Sequence, residues 1–211
     1  MLKIWGRLNS VNVEKVVWCA LELGLPFERI DAGGAFGVVG TPEFRAMNPC
    51  GRVPVIEDDG FVLWESNAIV RYLAARHGSG TLMPLDPHAR ADAERWMDFQ
   101  LGTVAPLLSP VFRGLVRTAP EARDMTSIAR AFDELKEVFV VADGALVGRT
   151  HLVGDRFTMA DIPLGAAAHR WFNLPLDGLP LERPPLPRLA AWHGRLKLRP
   201  AAAQLMTTPL T

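Results

Sequence analysis

The sequence predicts an α/β unit followed by an all-helical unit, and three observations support this fold class. Strand and helix patterns alternate over residues 1–77, whereas residues 88–211 carry helical patterns and no convincing strand. The stretch between them, GSGTLMPLD, has the glycine and proline content of a linker. We therefore predict domains at 1–77 and 88–211, joined by a linker at 78–87.

The first unit is predicted to have the order βαβαββα. Its strands are LKIWG, PFERID, VPVIED and FVLW, and the last two flank DDG as a hairpin. Apolar residues at helical spacing from Val13 to Leu21 predict the first helix, which Gly24 ends. TPEFRAM predicts a short helix with Thr41 as its cap, and ESNAIVRYLAARHG predicts the third helix.

The second unit is predicted to contain four helical segments. The first long pattern is interrupted by Pro106 and Pro110, where we expect a kink or an end. A second pattern covers EARDMTSIARAFDELKEVFVVADGAL, and the last helix is PRLAAWHGRLKL, ended by Arg199-Pro200. Thr158 and Asp161 in FTMADI have the spacing of a capping box, which predicts a helix start there.

Composition excludes several classes of function. Lysine and arginine balance aspartate and glutamate at 23 each, which argues against nucleic acid or an anionic membrane as a partner. No apolar run approaches the roughly 18 residues of a membrane span, and the start lacks a signal-peptide pattern. The two cysteines have no CxxC spacing and the five histidines are scattered, so we expect no metal site and a cytoplasmic protein.

A resemblance to a known family rests on three stretches of the chain. These are GRLNSVNVEKVVWCALELGLPFE, NPCGRVPVIEDDGFVLWESNAIVRYLA and FTMADI. They resemble cytosolic glutathione transferases, in particular bacterial, serine-type or theta-like members. The resemblance implies a thioredoxin-like N-terminal domain, a helical C-terminal domain, glutathione as co-substrate and a homodimer.

The resemblance implies a glutathione site on the first unit. It implies a cis bond between Val53 and Pro54, so that the main chain of Val53 pairs with the cysteinyl backbone of glutathione. Glu65 would bind the γ-glutamyl ammonium, and Ser66, opening a helix, would bind the γ-glutamyl carboxylate. Arg52 would lie near the glycyl carboxylate. Relatives often use a His or Lys for that carboxylate, whereas the stretch here, AFGVVG, is apolar.

Two residues compete for the role of holding the glutathione sulfur as a thiolate. Ser10 matches the catalytic serine of serine-type members, and Asn12 could donate its side-chain amide instead. Each also has a structural interpretation, Ser10 as a turn residue and Asn12 as the N-cap of the first helix. Tyr72, the only tyrosine, lies far along the chain from this loop. Cys50 is a weaker candidate, because thiol-exchanging members carry their cysteine near position 10.

The resemblance implies a transferase that attaches glutathione to small hydrophobic electrophiles. It places the electrophile site between the domains, and Trp96, Phe112 and Arg113 are the candidate contacts. The alternatives are a catalytically silent binding or interaction module with this fold, or a glutathione-dependent peroxidase or dehalogenase. The sequence alone leaves the electrophile and the subclass open.

Overall fold

The chain folds into two units of different secondary structure. A computed structural model describes residues 1–207 and 210–211. It divides into the compact units Met1–Asp86 and Pro87–Thr211. The first contains both strands and helices and the second contains helices, so the predicted fold class is confirmed.

The first unit has the predicted element order. Its elements are β1 (Leu2–Trp5), α1 (Val11–Glu22), β2 (Phe27–Ile30), α2 (Pro42–Met47), β3 (Val55–Asp58), β4 (Phe61–Trp64) and α3 (Ser66–His77), with a 3-10 turn at Gly34–Phe36. The cap predicted for α2 is present, because the Thr41 hydroxyl accepts a hydrogen bond from the Phe44 N–H at 3.2 Å. A glycine follows α1 with positive φ, as is common where a helix ends.

The four strands form one mixed sheet in the order β2-β1-β3-β4. β1 and β2 are parallel, whereas β1–β3 and β3–β4 are antiparallel. Trp5 pairs with Val55, and Val55 pairs with Trp64. Because side chains alternate along a strand, these three share one face of the sheet, where they pack with Phe44 of α2.

The opposite face of the sheet carries fully buried aliphatic side chains. Ile4 and Ile56 pair across β1 and β3 and are completely buried. α1 and α3 pack on each other and contact β1 and β4 respectively. This packing brings the N-terminal ends of both helices, and the loops that precede them, within reach of one another.

Residues 78–86 of the predicted linker 78–87 form a closed turn in the first unit. The Met83 N–H donates to the Gly78 carbonyl at 2.9 Å, and the Gly80 N–H donates to the Met83 carbonyl at 2.8 Å. Leu82 and Met83 are buried. The segment is therefore anchored by its own hydrogen bonds and apolar side chains.

The second unit consists of helices in its described part. They are α4 (Pro87–Phe99), α5 (Ala105–Phe112), α6 (Met125–Ala145), α7 (Asp161–Phe172), α8 (Pro187–Lys197) and α9 (Pro200–Leu205). α9 was not predicted, because Pro200 was interpreted only as the end of the preceding helix. Proline is tolerated in the first turn of a helix, and here Pro200 opens one.

The first long helix continues through both of its prolines, where a kink or an end was expected. α4 continues through a π-helical segment (Gln100–Val104) into α5 and a second π-helical segment (Arg113–Arg117). Pro106 lies in the first turn of α5 and Pro110 lies inside it. A π segment is wider than an α-helix and removes or displaces backbone hydrogen bonds, so the helix accommodates both rings without ending.

The continuous helix Pro87–Arg117 also meets a length-and-composition test for crossing a membrane, which the sequence analysis did not expect. It has 31 residues, and its most apolar 18-residue window has a mean hydropathy of 1.2. It is the one such helix in residues 1–207 and 210–211, and core helices of water-soluble proteins pass the same test. Its side chains Met97, Val104 and Phe112 are buried.

Candidate functional site

The loop before β3 is shaped by a buried asparagine. The Asn48 amide donates to the Arg52 carbonyl at 2.8 Å and its side-chain oxygen accepts from the Cys50 N–H at 3.0 Å. Gly51 has φ of 59°, and a Cβ there would lie 2.9 Å from the Val39 carbonyl oxygen. The loop therefore requires glycine at 51 and an amide at 48, and the sequence analysis singled out neither.

The loop leads into a cis peptide bond between Val53 and Pro54. Pro54 is buried, whereas Val53 is half-buried and packs at the edge of the cluster around Phe44. Within residues 1–207 and 210–211, no hydrogen bond to the N–H or C=O of Val53 is found. An extended ligand could therefore pair with this main chain as an added strand pairs with a sheet edge.

Glu65 and Ser66 stand at the start of α3, next to this segment. Val55 pairs with Trp64, so continuing the same register places Pro54 beside Glu65. Glu65 is the N-cap, is exposed, and has φ of 72° and ψ of 108°. Such a φ is uncommon for a residue with a side chain and is found where the surrounding structure imposes it, often at binding sites.

Ser66 is buried beneath Glu65 and connects α3 to α1. Its side chain is 3% exposed, and its hydroxyl donates to the Asn12 side-chain oxygen at 3.4 Å. The Lys15 ammonium donates to the Ser66 hydroxyl at 3.4 Å and to the Asn67 side-chain oxygen at 3.3 Å. Asn12, Lys15, Ser66 and Asn67 thus form one polar network, and the sequence analysis missed Lys15 and Asn67 as its members.

The two candidates for the thiolate partner occupy different positions at the start of α1. Ser10 is the N-cap, and its half-buried side chain makes no capping hydrogen bond. Asn12 is the second residue of the helix and is exposed, so its alternative interpretation as the N-cap is wrong. A hydrogen bond joins Asn12 to Ser66. Among the described residues, the Ser10 hydroxyl makes no hydrogen bond to the start of α1 or to Ser66.

The other residues considered in the first unit, an arginine and two cysteines, are either exposed or fully buried. Arg52 is exposed, and only its carbonyl is used by the loop. Cys50 is also exposed. Cys19 is fully buried in α1, and burial is the largest cause that raises the pKa of its thiol, with Glu22 adding to it. A neutral, enclosed thiol of this kind is a packing residue rather than a nucleophile.

Tyr72 is held in a polar cluster at the hairpin end of the sheet. Its hydroxyl donates to Asp58 at 2.9 Å and accepts from the Arg76 guanidinium at 2.7 Å. Burial is the first of the causes that raise the pKa of this phenol. Because Arg76 also pairs with Asp59 at 2.7 Å, the tyrosine is part of a structural network around the turn.

The loop after β2 presents apolar side chains where the family often has a cation. Phe36 and Val38 are 53% and 42% exposed, and Val38 has φ of 67°. A positive φ is an outlier for a β-branched residue. The nearest sequence candidate for a glycyl carboxylate in this region therefore remains Arg52.

The three candidates for electrophile contacts lie in different environments of the helical unit. Trp96 lines a cavity of about 550 Å³ together with Phe99 and Val141. Phe112 is 1% exposed, with the Arg170 guanidinium 4.0 Å from its ring centroid. Arg113 is exposed. No hydrogen bond or ring contact among the described residues joins the three side chains to one another.

The described residues do not assemble a metal site. In residues 1–207 and 210–211, no group of three or more His, Cys, Asp or Glu side chains is arranged to hold an ion. The polar groups of the candidate site are a carboxylate, hydroxyls, amides and one buried ammonium. This set suits a zwitterionic peptide ligand, which offers both an ammonium and carboxylates.

Comparison with known proteins agrees with the fold. The family model for the glutathione S-transferase N-terminal domain matches residues 1–75, and the model for the C-terminal domain matches residues 104–200. Glutathione S-transferase GstB of Escherichia coli K12 is 41% identical, with both chains covered completely. Glutathione S-transferase 3 of Zea mays is 35% identical over 95% of this chain and 90% of its own.

A solved structure extends the similarity to three dimensions. The theta class glutathione S-transferase from Xanthomonas axonopodis pv. citri, determined with glutathione bound, is 47% identical with a TM-score of 0.93. The match covers 100% of this chain and 99% of that one. The fold and the site define a thioredoxin-like protein with a helical second domain. The chain belongs to the glutathione S-transferase family.

Proposed function

We propose that the protein is a glutathione transferase that uses the site on its first unit to bind glutathione and to present it as a thiolate. The observation that carries this proposal is the main chain of the half-buried Val53, which makes no hydrogen bond within the described part of the chain and lies beside the start of α3. The relatives named above are glutathione S-transferases, and one was solved with glutathione bound.

Each part of glutathione has a complementary group at this site. The N–H and C=O of Val53 would pair with the cysteinyl backbone. Glu65 would bind the γ-glutamyl ammonium, while the hydroxyl and N–H of Ser66 would donate to the γ-glutamyl carboxylate at the positive end of α3. Arg52 would meet the glycyl carboxylate. No metal takes part in this scheme.

The thiolate would be stabilised at the start of α1. A free thiol has a pKa of about 8.5, and both a hydrogen-bond donor and a helix N-terminus lower that value. The donor would be the Ser10 hydroxyl or the Asn12 amide. The thiol proton would pass to solvent, and the sulfur would then attack an electrophilic carbon. The C–S bond would form either as a leaving group departs with its bonding electron pair, or as the π pair of an activated double bond moves to the neighbouring atom, which then takes a proton from solvent.

Isothermal titration of glutathione into the protein tests the binding site. We expect saturable binding by the wild type and a loss of about 100-fold or more in affinity for the double variant Glu65→Ala, Ser66→Ala, because two charge-assisted contacts of roughly 1.5–3 kcal/mol each are removed. The matched control removes an acid and a serine at another helix start, Asp124→Ala with Ser127→Ala, and should bind as the wild type does. A wild type that does not bind glutathione contradicts the proposal.

The thiolate donor is identified by titrating the pKa of bound glutathione, followed through thiolate ultraviolet absorbance. We expect one of the variants Ser10→Ala and Asn12→Ala to move that pKa back towards about 8.5, and the other to leave it unchanged. An unchanged pKa in both variants would show that neither side chain supports the thiolate.

The electrophile class and the assembly are also part of the proposal. We infer that Trp96 and Arg113 of the helical unit contribute to contacts with a small hydrophobic electrophile, in a role in detoxification. Phe112, the third candidate, is 1% exposed and packs inside the unit instead. We also infer a cytoplasmic homodimer, because the family resemblance implies one. Sedimentation equilibrium tests the dimer, and conjugation assays with Trp96→Ala and Arg113→Ala test the electrophile contacts.

A further inference from the structure

A lysine with no exposed surface lies beneath the start of α3. Lys15 of α1 is 0% exposed, although lysine is among the residues least often buried. A buried ammonium is stable only where polar or anionic groups surround it. Two of its partners are the first two residues of α3, Ser66 and Asn67, at 3.4 and 3.3 Å.

The position of Lys15 matters because its ammonium lies at the N-terminus of α3. The first N–H groups of α3 have no partner within the helix, and the N-terminus of a helix carries a partial positive charge. The Lys15 ammonium lies behind the same turn and donates to Ser66 and Asn67. This end of α3 therefore favours an anion in front of Ser66, on the exposed side where Glu65 lies.

We propose that Lys15 is a positioning residue for the γ-glutamyl carboxylate of glutathione. Its ammonium donates to the Ser66 hydroxyl and to the Asn67 side-chain oxygen, and so holds the groups that face the ligand carboxylate. This inference rests on the proposed function and adds to it. It assigns selectivity for a free α-carboxylate to a side chain that the ligand does not touch.

The test compares two ligands in two proteins. Glutathione and its analogue 4-aminobutanoyl-cysteinyl-glycine, which lacks only the γ-glutamyl carboxylate, are titrated calorimetrically into the wild type and into Lys15→Met. We expect Lys15→Met to weaken glutathione binding by about 10-fold or more, as for loss of one charge-assisted interaction. Its affinity for the analogue should stay within about twofold of the wild type, because the affected carboxylate is absent.

Two further variants make the comparison specific. Lys15→Arg keeps the positive charge and should retain most of the preference for glutathione over the analogue. Lys3→Met removes a lysine from the same unit, where it pairs with Glu57 at 3.3 Å on the sheet, and should leave both affinities unchanged.

The outcomes separate this inference from the function on which it rests. A wild type that binds neither ligand overturns the glutathione site itself. If Lys15→Met weakens both ligands by the same factor, Lys15 supports the fold of the site and the inference is wrong. Lys15→Gln is the second neutral variant, should Lys15→Met not fold. If neither folds, the charge is required by the fold, which also overturns the inference.

Discussion

At the scale of single residues, Glu65 combines a functional side chain with an unfavourable backbone. A φ of 72° suits glycine, yet the position carries a glutamate at the exposed start of α3. Residues held in such sparsely populated regions cost about 1–3 kcal/mol, which the surrounding structure must supply. The side chain rather than the backbone therefore explains why this position is not glycine.

This conflict predicts an unusual order of stability among variants of Glu65. Alanine normally stabilises a chain over glycine by about 0.4–1 kcal/mol, but the reverse holds where φ is positive. We expect Glu65→Gly to have a free energy of unfolding about 1 kcal/mol higher than Glu65→Ala, with glutathione affinity reduced in both. Urea denaturation of the two variants measures the difference.

A matched pair at Asp59 provides the control for that prediction. Asp59 has φ of 50° in the hairpin turn, a conformation that aspartate tolerates better than most residues. Asp59→Gly and Asp59→Ala should both bind glutathione as the wild type does. Equal stability of the two Glu65 variants would mean that the backbone there is not strained.

The site residues also show where sequence reasoning ends. Val53, Glu65 and Ser66 could be proposed because they lie in one continuous motif. Lys15 could not, since only the apolar residues of α1, such as Val13, Val16 and Val17, contributed to the helical pattern. Only the packing of α3 against α1 encloses it, and a helical pattern does not report what covers its other face.

At the scale of elements, the start of α7 depends on one buried carboxylate. Asp161 accepts hydrogen bonds from the Thr158 N–H at 2.9 Å, the Leu152 N–H at 3.1 Å and the Trp192 indole N–H at 2.8 Å. The sequence predicted the contact within the capping box. The contacts to Leu152 and Trp192 come from the loop that precedes α7 and from α8, so the spacing of the capping box could not reveal them.

Removing that carboxylate should destabilise the protein far more than removing an exposed helix cap. Asp161→Ala leaves three buried donors unpaired, and we expect a loss of about 3 kcal/mol or more in the free energy of unfolding. Asp124 caps α6 from an exposed position, so Asp124→Ala should cost only about 1 kcal/mol. Similar losses in urea denaturation of the two variants would contradict this account.

At the scale of the whole molecule, the structure predicts a loss of stability in weak acid. His169 of α7 and His193 of α8 are buried with their ring centroids 5.5 Å apart. Burial is the main cause that lowers each pKa from 6.5 to about 4, with nearby positive charges adding to it. Asn173 donates to His169 Nδ1, which suits a neutral ring.

The direction of the pH effect follows from the lowered pKa values. Between about pH 6.5 and 4 the unfolded chain binds protons that the folded chain does not, so the free energy of unfolding falls as pH falls. Each histidine should contribute roughly 1 kcal/mol per pH unit within that window and nothing more below it. Denaturation from pH 7 to 4 should show a shallower slope for His169→Gln and for His193→Gln.

The exposed His88 supplies the control for this measurement. His88→Gln should follow the wild-type pH dependence, because it removes an exposed imidazole and leaves the two buried ones in place. The comparison is made between variants, so the contribution of Asp161, whose pKa is raised by burial, cancels. An unchanged slope in both buried-histidine variants would show that these rings do not control the acid response.

The whole fold was more predictable than its irregular parts. The βαβαββα order and the helical second unit follow from periodicity and turn residues, which act locally. The π-helical segments and α9 were missed because Pro106, Pro110 and Pro200 were interpreted as interruptions. Whether a proline ends, widens or opens a helix depends on which neighbouring groups can donate hydrogen bonds to the displaced carbonyls. Tertiary packing decides which groups those are.

The widened turns at Gln100–Val104 and Arg113–Arg117 also set the rotational register of the long helix. A π turn contains about one residue more than an α turn, and each residue of a helix advances about 100° around its axis. Two such turns rotate the end of the helix by about 200° relative to an uninterrupted α-helix. Each widened turn is therefore equivalent to a one-residue insertion, and deleting a single residue there would close it to an α turn and leave every side chain beyond it on its present face.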